Sequence, residues 1–214
     1  MRRRIATLGV FLLLGTGPTI GTAGPVVEDV AFEPLREHCT RLLKALDDLK
    51  APLPAETAKE LKAVLKDGAK DPEAAEKVQK LLDAHCLVRV TINPESRVKA
   101  ARGAAPAELR RDQEVVVLVK VQNEAGVTHA LTVSGPQVAV SGKKGEGRWL
   151  EAAVYAGPPL GKKLSGARVE YVLLRLTARE AGKREATLAF DVGQGTQDLG
   201  FRAEVPILFA VRAK

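Results

Sequence analysis

The chain has 214 residues, of which 45% are hydrophobic and 28% charged, and it carries a formal net charge of +7. That length suits one large domain or two small ones. Aromatic residues make up 4% of the chain, which leaves little to stack on bases and argues against nucleic acid as a partner.

Met1-Arg2-Arg3-Arg4 precedes an apolar run from Ile5 to Leu14, followed by small and polar residues to Gly24. This is the order of a secretory signal. Gly21 and Ala23 supply the small residues at −3 and −1, which places the cut after Ala23. The apolar run is about ten residues, against the roughly 20 that a membrane span requires, and Gly15, Gly17 and Pro18 interrupt its continuation. The expectation is a secreted or periplasmic protein with a signal peptide at 1–23 and no membrane span once the signal is removed. Loss of Arg2, Arg3 and Arg4 lowers the net charge to +4, distributed as −3 over residues 25–86 and +7 over residues 87–214. A basic region beside an acidic one fits an anionic polymer of the cell envelope better than it fits nucleic acid.

From about Phe32 to Cys86 the apolar period is helical. Leu35, Cys39, Leu42, Leu46 and Leu49 form one stripe. Pro34 sits in the first turn, where its missing N–H would have no partner. Pro52 and Pro54 end that helix. Ala58, Leu61, Val64 and Leu65 make a second stripe, closed by Gly68 as an expected left-handed cap. Asp71-Pro72-Glu73 opens a third helix with Asp71 as N-cap and a buried face of Ala75, Val78, Leu81, Leu82 and His85 or Cys86. The expectation for 24–86 is a three-helix bundle.

The two cysteines, Cys39 and Cys86, are most simply read as a disulfide in an exported chain. Its loop closure contributes about 4 kcal/mol in the chain-entropy model. Free buried thiols are one alternative. A zinc site using the preceding His38 and His85 is another, disfavoured because adjacent helical residues point about 100° apart.

After Cys86 the period changes to two. Val88, Val90 and Ile92 alternate with polar residues, and Glu114–Gln122 reads as a central strand. Asn123–Gly126 reads as a hairpin turn with Thr128–Ser134 pairing back. Val138–Val140, Arg148–Tyr155, Val169–Ala178, Glu185–Val192 and Arg202–Val211 follow, with Pro206 marking an edge. The expected fold class is α+β: the helical bundle, then an immunoglobulin-like antiparallel β-sandwich over 87–214.

No nucleophile elbow, H-E-x-x-H or paired Cys-x-x-Cys motif occurs. No catalytic residue, cofactor or metal ligand is therefore assigned. Glu151, Glu170 and Asp191 are the carboxylates that a hydrolase would have to bring together. The glycine-rich run from Asp191 to Asp198 reads as a turn rather than a calcium loop. Gly142-Lys143-Lys144-Gly145 and Gly161-Lys162-Lys163 are two similar turns. On neighbouring loops Lys143, Lys144, Lys162 and Lys163 would form a cationic lip for anions.

The blocks INPESRVKAARG (Ile92 to Gly103), VKVQNEAGVT (Val119 to Thr128), AGKREATLAFDVGQGTQDLGFR (Ala181 to Arg202) and EVPILF (Glu204 to Phe209) resemble an uncharacterised family of exported bacterial proteins. Similar segments precede metal-dependent hydrolase domains in larger chains. The resemblance implies an accessory, non-catalytic sandwich and carries no assigned functional residues. The functional expectation is an exported binding or scaffolding module that contacts an envelope polymer or a partner protein, with strand addition at a sheet edge as one mode. A hydrolase using clustered carboxylates or a bound metal is the alternative.

Overall fold

The computed structural model describes residues 24–139, 147–193 and 201–213. Three helices, α1 (Phe32–Asp48), α2 (Ala55–Asp67) and α3 (Ala74–Asp83), precede ten strands. A six-stranded sheet has the order β2 (Val98–Arg102), β1 (Cys86–Ile92), β4 (Glu114–Asn123), β8 (Val169–Ala178), β7 (Leu150–Val154) and β6 (Val138–Ala139). A four-stranded sheet has the order β3 (Glu108–Arg110), β10 (Arg202–Arg212), β9 (Gly182–Asp191) and β5 (Thr132–Ser134).

Both sheets are mixed. β1 runs parallel to β4, β6 to β7, and β3 to β10. The sheets curl until β2 lies against β10 and β5 against β7. The expected immunoglobulin-like antiparallel sandwich is therefore not the fold. The periodicity fixes which face of a strand is buried, but not which strand lies beside it. β2 and β3 had no clear signal, being short and carrying small or charged residues. They form an antiparallel partner for β1 and a crossing to the second sheet, and β4 consequently returns parallel to β1.

A second correction follows from the same pairings. The segment after Asn123 does not fold back on β4, because β1 and β8 already occupy both flanks of that strand. Instead the Asn123 side chain donates to Val127 O at 2.8 Å and accepts Val127 N–H at 2.9 Å. The chain is thereby turned toward the other sheet, where β5 pairs with β9. Ala186, Leu188 and Phe190 of β9 and Val205, Ile207, Phe209 and Val211 of β10 all point into the inter-sheet core. Trp149 packs edge-on to Phe209 at 5.9 Å between ring centroids, a geometry that adds about 0.5–1.5 kcal/mol beyond burial. Pro206 is exposed and opposite Thr187, on the stretch of β10 that β3 leaves unpaired, so its missing N–H costs no ladder bond.

The helices do not form a bundle with its own core. Leu35, Cys39, Leu42, Leu61, Val78 and Leu82 share one apolar cluster with Leu118 of β4 and Val169, Tyr171 and Leu173 of β8. The physical reason is area. α2 buries just Leu61 and Leu65, too little for a free-standing bundle of about sixty residues. Docking on the sheet supplies the missing surface, and each fully buried leucine contributes about 1.5–3 kcal/mol there. Two local readings also change. Asp71 is not the N-cap of α3: the helix begins at Ala74 with Glu73 in the cap position and no side-chain cap bond, and Asp71 instead accepts Glu73 N–H at 2.9 Å in the turn before it. Gly68 is right-handed (φ −74°) and continues into a short 3-10 turn, Gly68–Lys70. A Cβ there would meet the Phe32 ring at 2.7 Å, so glycine serves close packing rather than a left-handed cap.

Candidate functional site

β7 is shorter than β8. Leu150–Val154 pairs with Ala178–Leu174, and Tyr155 N–H reaches Leu173 O at 2.8 Å, after which the chain leaves the sheet. Backbone groups of Tyr171 on that flank have no strand neighbour, and buried backbone groups need partners. α1 supplies one. His38 Nε2 lies 2.9 Å from Tyr171 O and 3.0 Å from Tyr171 N. Unprotonated, it accepts the N–H; protonated, it donates to the carbonyl. Burial holds the His38 pKa below the usual histidine range, opposed by the hydrogen bond to Tyr171 and reinforced by repulsion from Arg41.

The gap left by β7 is a cleft of about 270 Å³. Leu131, Val154, Leu160 and Leu164 give it apolar walls, His38, Glu170 and Tyr171 line its inner side, and Arg41, Lys162 and Lys163 contribute positive charge. All three cations are exposed. Neither lysine has an acidic partner among the described residues, and Arg41 meets just Glu37, at 3.9 Å. Glu170 does not neutralise them. It is buried, and both its carboxylate oxygens accept Ser165 N–H at 2.9 Å. Burial pushes its pKa up, while the Ser165, Gly166 and Ala167 backbone donors pull it back. Its role is to fix the loop that carries the lysines. Leu164 N–H completes that anchoring on His129 O at 3.0 Å, and this places the third histidine, His129, in a structural position.

Of the expected cationic lip, Lys162 and Lys163 stand at this cleft; Lys143 and Lys144 lie outside the described residues. No residue pattern signals that Arg41 joins them, since it reads as an ordinary solvent-facing position on α1. The carboxylates considered for hydrolysis are not brought together. Glu151 opposes Thr177, seven residues along β8 from Glu170, roughly 23 Å at a strand rise of about 3.3 Å. It binds Arg179 at 2.9 Å. Asp191 is in the other sheet, accepting Gly193 N–H at 2.5 Å, and Asp198 lies outside the described residues.

Beneath the cleft, on the helix side of β8, is a buried polar cluster that the sequence reading missed. Lys120 Nζ donates to Asp83 Oδ2 at 2.6 Å and to Gln79 Oε1 at 2.9 Å. Tyr171 O–H donates to Asp83 Oδ1 at 2.8 Å. The Gln79 amide is itself clamped by Val27, accepting its N–H and donating to its carbonyl, each at 2.9 Å. Cys39 and Cys86 are both buried and both free thiols. This overturns the expected disulfide. Each cysteine is used as a small apolar side chain in the helix–sheet core, and Cys86 Sγ donates to Leu82 O at 3.4 Å. The zinc alternative also loses its geometry: His38 is on Tyr171 and His85 on Thr57. Among the described residues no group of three or more His, Cys, Asp or Glu is placed to hold a metal.

No protein-family model matches the chain, and no curated protein matches it. Among solved structures, a chain of the structure of PbICP-C in complex with falcipain-2 aligns at 9% identity, covering 60% of this chain and 92% of that one. Its TM-score is 0.30, a level of likeness that carries no argument about fold or function. Among the described residues no helix is long and apolar enough to cross a membrane.

Proposed function

We propose that this protein is an exported, non-catalytic binding module of the cell envelope, and that the cleft beside β8 takes an anionic polymer. The observation that carries the reading is the set of exposed cations at a cleft with apolar walls, Lys162 and Lys163 without an acidic partner among the described residues and Arg41 with a long contact to Glu37. The positive balance of residues 87–214 and the signal-like N-terminus agree with it. A polymer of repeating phosphate or carboxylate groups would meet the cations while its uncharged portions lie against Leu131, Leu160 and Leu164. Glu170 would contribute indirectly, by holding the lysine loop in place.

Exposed charges act over about 8–10 Å at physiological salt, so binding of this kind is salt-sensitive. A basic residue close to an anionic surface contributes about 1 kcal/mol. Reversing two of them therefore weakens binding on the order of tenfold or more. The test is co-sedimentation of the purified protein with envelope material from its source at low and high salt. It compares the native chain with the Lys162→Glu/Lys163→Glu and Arg41→Glu variants. Capture lost at high salt and in both variants supports the reading. Capture that resists salt and survives both variants removes the cleft and points to a protein partner on another face.

A further inference from the structure

Lys120 and Asp83 form the one ion pair among the described residues whose side chains are both buried, at 3% and 2% exposure. Every other described pair leaves more than a third of each side chain in solvent. Burial removes much of the advantage that water gives to the charged forms. The 2.6 Å hydrogen bond is a direct path for the proton that must pass from Nζ to Oδ2 before the amine nitrogen can attack the carboxyl carbon, and it holds the two groups in contact for that attack. We infer that Lys120 and Asp83 condense to an intramolecular amide that staples α3 covalently to β4.

The surroundings are arranged for that step. Gln79 Oε1 accepts one Nζ–H at 2.9 Å, and Gln79 is fixed in turn by the Val27 backbone. Tyr171 O–H points at Asp83 Oδ1, where negative charge develops on attack. Burial raises the tyrosine's pKa well above its ordinary value, which keeps the phenol a donor. In the step itself the Nζ lone pair forms a bond to Asp83 Cγ. A proton from Nζ passes to Oδ2, the Cγ–Oδ2 bond breaks, and Oδ2 leaves as water. An amine and a carboxylic acid become an amide and one water, with no change of oxidation state and no co-reactant. Holding the two groups in contact replaces the bimolecular encounter that makes this condensation slow in solution.

The product fits the site at least as well as the ion pair does. The amide oxygen keeps the Tyr171 hydrogen bond, and the amide N–H keeps Gln79 as acceptor. An ammonium has three donors, and Lys120 finds two acceptors here, Asp83 and Gln79. With both cysteines free, such a link would do the stapling expected of the disulfide.

Intact-mass measurement of the purified, reduced and denatured full chain tests the inference. The expected mass is that of the sequence from its measured N-terminus less one water, about 18 Da, with a digest in which the Asp83 and Lys120 peptides are joined. Lys120→Arg should restore the full mass. Tyr171→Phe should slow the appearance of the lighter species during incubation at neutral pH. A native chain that keeps its full mass and yields a linear Lys120 peptide after prolonged incubation overturns the inference. Closure at the native rate in Tyr171→Phe overturns the role given to Tyr171.

Discussion

His38 joins the stability of this protein to its candidate site, and its removal has a calculable cost. His38→Ala leaves the Tyr171 N–H without the acceptor that lies 3.0 Å away. An unsatisfied buried donor costs about 1–3 kcal/mol. The same residue makes stability depend on pH. Its folded pKa is below the ordinary 6.5, chiefly through burial. As pH falls through 6.5 the unfolded chain takes up a proton that the folded chain resists, so the contribution is fully present above that pH. It is lost as pH falls toward the folded pKa, with a slope of at most about 1.4 kcal/mol per pH unit. His85 is shifted in the same direction by burial. Glu170 acts oppositely: its folded pKa is raised above 4.5, so its contribution is present below that value and fades as pH rises through the folded pKa. Urea unfolding at about pH 7.5 and about pH 5.0, on the native chain and His38→Gln, separates these effects. The native midpoint should fall between the two conditions, and the fall should be smaller in the variant, which cannot titrate there. Equal falls in both chains, or an unchanged midpoint in His38→Ala at neutral pH, would refute the assigned role.

Two further expectations follow from close packing. Gly135→Ala places a Cβ 2.0 Å from Thr187 O, so the loop after β5 must shift from β9; a loss of about 1–3 kcal/mol is expected from overpacking, read by denaturant midpoint. Burial pushes the Cys39 thiol up to about 12 and raises Cys86 further. The native protein should therefore resist a thiol reagent, and both thiols should react in denaturant without reductant. A denatured chain with no reactive thiol would restore the disulfide.

The sequence exposed the burial pattern far better than the pairing. The stripe of Leu35, Cys39, Leu42 and Leu46 and the alternations in β9 and β10 point inward as read, because periodicity reports which side of an element is apolar. It does not report neighbours. β1 beside β4 in parallel is a consequence of β2 and β3, whose five and three residues carry too little apolar signal to notice. Lys120 and Asp83 escaped for a related reason. A lysine alternating with valines in β4 reads as the solvent side of a strand, and an aspartate near the end of α3 reads as a helix surface. Both sides are in fact covered, because the helices dock on the face of the sheet that a two-layer sandwich would expose. Lys162 and Lys163 were legible as exposed cations. Their neighbour Arg41 was not, since its proximity depends on that same docking.

The helical layer is therefore part of the candidate site rather than an appendage to it. α1 contributes Arg41 to the cleft and His38 to the strand flank within it, four residues before the buried Leu42. α3 contributes the acid that meets Lys120. A change that loosens α1 from β8 releases the Tyr171 backbone and displaces a cation in one motion. Loss of core packing at Leu42 should accordingly weaken polymer capture together with stability, whereas charge reversal at Lys162 and Lys163 should weaken capture alone. That difference distinguishes a cleft built by docking from a loop that happens to be basic.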